Sequence, residues 1–136
     1  MKITSGILIT GILLLFVSFN KVSEFKLERK ILGKWSFFSE MNEKGAWKKV
    51  EKLDPNKSGM EFKKDGILIV QMNSGSCATP PISYDNYDGI WKKTSDSTLV
   101  ISHGFWGGKL ESNILIKTLN NKKLVFEILN DKIIKN

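Results

Sequence analysis

The sequence predicts an all-β protein in which about eight antiparallel strands close into an up-and-down barrel, preceded by a short helix. Three observations support this prediction. From Trp35 onward apolar and polar residues alternate with a period of two, as in half-buried strands. Turn signals such as Asp65-Gly66 separate the alternating stretches. A meander of this many strands leaves two exposed edges unless it closes on itself.

The N-terminus begins with Lys2 and an uncharged run over 3–19 rich in Ile, Leu, Val and Phe, a pattern typical of an export signal. Neither Ser18 nor Ser23 has a small residue three positions before it, so two alternatives stay open: a cleaved signal peptide or an uncleaved membrane anchor. We therefore divide the chain into a leader over 1–23 and one domain over 24–136. We expect a periplasmic or extracellular protein.

The elements follow in order after the leader. Ser23 can cap a short helix over Glu24–Leu32, which Gly33 ends. Alternation and turn signals then predict strands at Trp35–Phe37, Trp47–Val50, Met60–Lys63, Ile67–Met72, Tyr87–Lys93, Leu99–His103, Leu110–Leu119 and Leu124–Leu129. The longest irregular connection is 73–86, and no linker or repeat divides the domain.

The alternation also predicts which side chains face the barrel interior. The inward set is Trp35, Phe37, Met60, Phe62, Ile69, Trp91, Leu99, Ile101, Ile114, Ile116, Leu124, Phe126 and Ile128. Their polar strand neighbours, among them Glu61, Asp88, Glu111 and Glu127, face water.

The segment Gly33-Lys34-Trp35 resembles the Gly-x-Trp signature that opens the first strand of lipocalins, and the later hairpins over 60–66, 87–91 and 116–126 are similar in type and order to those of bacterial lipocalin-like proteins. The resemblance covers about 31–129. It implies a structural role for Gly33 and Trp35 alone, with Trp35 closing one end of the barrel. The late arginine that packs on this tryptophan in classical lipocalins has no counterpart here, because Arg29 is the only arginine.

Because turns alternate between the two ends of a meander, the sequence predicts two different ends. The turns at 64–66, 94–98 and 120–123 share one end, which carries lysine doublets; 73–86 and 104–108 share the other, which carries Phe105 and Trp106. The two aromatic side chains between glycines can form a lid, a wedge against a partner, or a plug. Lipocalin analogy favours the lysine end as the mouth, whereas loop length favours the aromatic end, which we adopt.

The residue inventory does not favour an enzyme. Cys77 is the only cysteine and His103 the only histidine, so no disulfide within the chain and no cysteine pair for zinc can form. Both fall at the aromatic end, but no third positioned group or nucleophile motif accompanies them. Cys77 can equally be a small residue in a loop. No cofactor and no metal are predicted.

We therefore expect a barrel that binds a small apolar or amphipathic molecule in or at one end. The predicted ligand-binding residues are Phe37, Phe62, Ile69, Trp91, Ile101, Ile116, Phe126, Phe105 and Trp106. The alternative is a barrel filled by its own side chains that contacts an envelope protein, lipid headgroup or polyanion; a thiol-dependent enzyme using Cys77 ranks third. The formal charge of +7 does not indicate nucleic-acid binding, since lysines and aromatic residues lie at different ends.

Overall fold

A computed structural model describes residues 26–40, 43–75 and 80–135. The described part of the helix, α1, covers 26–31. The strands are β1 (Gly33–Glu40), β2 (Glu43–Val50), β3 (Gly59–Phe62), β4 (Ile67–Asn73), β5 (Tyr84–Lys93), β6 (Thr98–Phe105), β7 (Gly108–Leu119) and β8 (Lys123–Ile134), with a 3₁₀ turn at Lys64–Gly66. The prediction of an eight-stranded antiparallel barrel preceded by a short helix is confirmed. The predicted leader and Cys77 lie outside the described residues.

The order of strands around the barrel is β1-β2-β8-β7-β6-β5-β4-β3, so β1 lies between β2 and β3. A purely sequential, up-and-down order is therefore wrong at this one point. The connection over 51–58 crosses the outside of β1 to reach β3, and the Phe37 amide donates to Ser58 O at 2.9 Å. Gln71 fixes the crossing, because its amide nitrogen donates to the Asp54 and Lys57 carbonyls at 2.5 and 2.6 Å.

The pairing registers confirm the predicted inward face, with one exception. Phe62 pairs with Leu68, which puts Leu68 inside and places Ile69 on the outer face between Glu61 and Asp88. The prediction that Ile69 lines the interior is wrong. The run Ile67-Leu68-Ile69-Val70 is apolar on both faces and does not alternate, so its register follows from the turn before it. In that turn Asp65 and Gly66 both adopt positive φ, at 64° and 74°.

One half of the barrel is filled by its own side chains and closed by α1. Leu27 and Ile31 of the helix pack into a core whose strand members are Trp35, Met60, Phe62, Leu68, Trp91, Leu99, Ile101, Ile114 and Leu124. Trp35 is fully buried, and its indole N–H donates to Ile31 O at 2.8 Å, which ties the helix to the first strand. We call this the capped half. The turns at 64–66, 94–98 and 120–123 lie at its end.

The other half, which we call the open half, contains the start of β5, the hairpin between β6 and β7 and most of β8. Strand β8 pairs with β2 only over Lys123–Val125, whereas it pairs with β7 as far as Ile134. The side chains over 127–134 are all exposed. The barrel is therefore closed by a short ladder, and β8 beyond Val125 pairs with β7 alone toward the end that carries Phe105 and Trp106.

Candidate functional site

Apolar side chains on the inner face of the open half are exposed to solvent. Phe37 follows Trp35 on the inward face of β1, yet 41% of its surface is exposed. On β8, Ile128 pairs with the buried Ile114 and is 52% exposed, and Ile133 is 59% exposed. Inward-facing apolar residues of the capped half, such as Trp35, Leu99 and Leu124, are fully buried. The described side chains of the barrel therefore leave apolar surface uncovered on this inner face, a feature that commonly marks an interaction site.

Three aromatic rings form a continuous row along one wall of the open half. Phe37 meets Trp47 edge to face with ring centroids 5.3 Å apart, and Trp47 stacks on Phe126 at 6.0 Å. The row crosses β1, β2 and β8 where β2 and β8 complete the barrel. Ile116 of β7 pairs with Phe126 but lies toward the capped end, where it lines a small cleft with Leu27 of α1. Such a row offers an apolar wall on which an alkyl chain or ring system can pack.

The opposite wall is more polar. Strand β6 stands four positions from β1 in either direction around the ring of eight, so His103 lies across the barrel from the aromatic row. His103 is buried, and its Nδ1 lies 2.7 Å from Gly104 O. It packs over Gly89, where an added Cβ would fall 2.7 Å from the histidine Cβ. Ser112 is buried on β7, one residue pair further toward the core.

Several predicted ligand-binding residues lie in the capped half instead. Phe62, Trp91 and Ile101 are buried core residues. The rings of Phe62 and Trp91 meet edge to face at 5.8 Å, and the Trp91 indole N–H donates to Lys63 O at 2.9 Å. These side chains belong to the core of the capped half, and Trp91 lines the cleft at its end. Phe37 and Phe126 belong to the aromatic row, Ile116 lies at the capped end beside α1, and Ile69 lies on the outer face of the barrel.

The predicted loop at 104–108 is a tight hairpin, since Phe105 pairs directly with Gly108. The ring of Phe105 lies over Gly107, where a Cβ would come within 2.5 Å of it. Phe105 and Trp106 meet edge to face at 5.5 Å, and Trp106 is exposed. The pair stands at the rim of the open half and is not part of the buried core.

The capped end carries a cleft of a different kind. It has a volume of about 770 Å³ and lies between α1, the 3₁₀ turn and the end of β5. Its lining residues are Glu28, Arg29, Leu32, Lys64, Asp65, Gly66, Trp91, Lys92 and Lys93. Four basic residues against two acidic ones make it a basic surface cleft. The aromatic surface and the basic cleft therefore lie at opposite ends, as the sequence predicted for the lysine doublets and the aromatic residues.

The structural role implied for Gly33 and Trp35 has a physical basis here. Gly33 has a φ of 122° and pairs with Phe62, and a Cβ on it would lie 2.9 Å from the side chain of Lys49. Lys49 pairs with Trp35, and its ammonium lies 5.2 Å from the centroid of the tryptophan ring. A lysine on β2 thus contacts Trp35 as a cation on an aromatic face.

Within the part of the chain that the structure describes, no three histidine, aspartate or glutamate side chains gather into a group that could hold a metal ion. No helix of the described ranges has the length and apolar character needed to cross a bilayer. No protein-family model, curated protein or solved structure matches this chain.

Sequence reasoning missed Trp47, Ser112 and Ile133 among the residues of the site, as well as the contact of Lys49 with Trp35 in the capped half. The stretch Ala46-Trp47-Lys48-Lys49 does not alternate clearly, so its inward face could be found only by counting back from the hairpin that pairs Trp47 with Phe37. Ser112 has an inward position but a polar side chain, which alternation assigns to the outer face.

Proposed function

We propose that this chain is an exported, lipocalin-like binding protein that holds one small apolar or amphipathic molecule in the open half of the barrel. The observation that carries the proposal is the solvent exposure of inward-facing apolar side chains, above all Phe37, beside the ring row through Trp47 and Phe126. Concave, mostly apolar surfaces with a few polar groups are the usual sites for small molecules.

The division of the barrel supports the same function. The aromatic row stands on strands that the core of the capped half fixes in place. A ligand in the open half would cover Phe37, Ile128 and Ile133, whose burial from water is favourable by about 25 cal/mol per Å² of apolar surface. Ligand binding is argued from this arrangement, whereas export is argued from the apolar leader and the lipocalin-like assignment from Gly33-Lys34-Trp35 and the later hairpins.

The alternative function, contact with an envelope lipid headgroup, a protein or a polyanion, is favoured by the basic cleft at the capped end. Its cations Arg29, Lys64 and Lys92 lie beside apolar Leu32 and Trp91, a combination suited to an anionic surface. We rank it second because exposed lysines beside turns are commonly a solvated rim that prevents edge association.

Two adjacent phenylalanines allow a matched test of the proposed function. Phe37 and Phe38 are 41% and 44% exposed but lie on opposite faces of β1. We expect protein purified after expression of the full chain to bind the neutral apolar dye Nile red. Phe37→Ser should weaken binding about tenfold, because the dye loses one apolar wall. Fluorescence titration measures both affinities.

Phe38→Ser is the control, since it removes a ring of equal exposure from the outer face and should leave dye affinity unchanged. Equal losses in the two variants, or no uptake of dye by the native protein, would contradict binding inside the open half.

A further inference from the structure

We infer that the ligand of the open half carries an uncharged polar head that donates a hydrogen bond, such as an alcohol hydroxyl, and that His103 and Ser112 recognise this head. The inference rests on the proposed function and names the ligand class for the same site.

The first step is the tautomer of His103. Its Nδ1 lies 2.7 Å from Gly104 O, and a carbonyl oxygen can only accept, so Nδ1 carries the hydrogen and donates it. In the neutral ring Nε2 is then an acceptor. Among the described residues Nε2 has no hydrogen-bond partner. A molecule in the open half can satisfy this nitrogen only by donating a hydrogen bond to it.

The second step is the position of Ser112. It is buried, faces inward and pairs with Ile101, the residue two positions before His103. Diagonal neighbours on one face of an antiparallel pair have Cα atoms about 7–8 Å apart, a span that one small polar group can bridge. The Ser112 hydroxyl has no partner among the described residues. One ligand hydroxyl can therefore donate to Nε2 and accept from Ser112.

The third step is charge. Two acidic residues, Asp85 and Asp131, hold inward positions in the open half: Asp85 pairs with Met72, and Asp131 pairs with Ser112. Within the described strands, the inward lysines Lys49 and Lys93 pair with core residues of the capped half. A carboxylate head would meet an acceptor nitrogen and the neighbouring Asp131, with Asp85 four residues before Gly89 on the same wall, so the site disfavours it. This separates the inferred ligand from a fatty-acid anion.

The test compares three probes of one chain length, 1-decanol, decyl methyl ether and decanoate, in competition with Nile red at about pH 8, where a free carboxylic acid is ionised. The ether is more apolar than the alcohol but cannot donate, so apolar burial alone would favour the ether. We expect decanol to bind about fivefold more tightly than the ether, and decanoate to bind most weakly.

Variants connect this preference to the two residues. His103→Phe should remove the advantage of decanol over the ether, and His103→Gln, which keeps a side-chain acceptor, should retain part of it. Ser112→Ala should weaken decanol binding about threefold. Ser102→Ala is the matched control, because Ser102 is also a buried serine without a partner but lies on the outer face of β6.

Equal affinity for decanol and its ether, tightest binding of decanoate, or an unchanged preference in both His103→Phe and Ser112→Ala would overturn the inference while leaving the proposed function in place. Failure of Nile red and of every probe to bind would overturn both.

Discussion

The capped and open halves of the barrel are built from the same strands and the same alternation, but they differ in what fills them. In the capped half, large side chains from opposite strands meet under α1, and Trp35 is fully buried. In the open half, Phe37 comes two residues later on the same face of the same strand and is 41% exposed. An inward position therefore does not determine burial; packing against α1 and the core of the capped half does.

This difference separates stability from binding within one small domain. Residues near α1 make many apolar contacts, so we expect them to carry most of the free energy of unfolding. Residues of the open half retain exposed apolar surface that a ligand can cover. Substitutions in the capped half should consequently lower the free energy of unfolding, whereas substitutions in the open half should lower ligand affinity.

The largest expected effect is on Trp35. Trp35→Ala should reduce the free energy of unfolding by about 3–5 kcal/mol, because it leaves a large cavity and removes the hydrogen bond to Ile31 O. Denaturant titration of the full chain measures the loss. Phe37→Ala, the comparison in the open half, should cost less than about 1.5 kcal/mol, since its ring is already partly in water. Equal losses of unfolding free energy in Trp35→Ala and Phe37→Ala would contradict the distinction between the two halves.

A smaller effect is expected from the contact between the Lys49 ammonium and the Trp35 ring in the capped half. Lys49→Met keeps an unbranched side chain but removes the ammonium over Trp35, and should lower the free energy of unfolding by about 0.5–1 kcal/mol. Lys48→Met is its control, because Lys48 is exposed on the other face of β2. Thermal unfolding followed by tryptophan fluorescence compares the two. A larger loss in Lys48→Met would show that the contact with Trp35 does not contribute.

The sequence predicted the barrel, the helix, the two unlike ends and nearly all of the inward face, because alternation and turn chemistry are local signals. It misplaced Ile69, since an apolar run such as Ile67-Leu68-Ile69-Val70 fits either face. It also missed the position of β1 between β2 and β3. Strand partners are chosen by tertiary packing, and the connection over 51–58 is long enough to cross a neighbouring strand.

The site was predicted only in part for a related reason. Alternation identifies Phe37, Phe62 and Phe126 as inward residues but not their depth, which follows from the stagger of strands around the barrel. Phe62 therefore belongs to the core and Phe37 to the site, although their sequence patterns are alike. The polar wall at His103 depends on the closeness of Gly89, a contact between two strands that no single stretch of sequence records.

The most direct test of ligand binding in the open half is an NMR titration of isoleucine methyl groups with Nile red. The account predicts that shifts concentrate at Ile128 and Ile133 on the inner face. Little change should occur at the fully buried Ile31 or at the exposed outer pair of Ile67 and Ile90. Shifts confined to that outer pair, or spread evenly over all exposed methyl groups, would contradict a binding site inside the barrel.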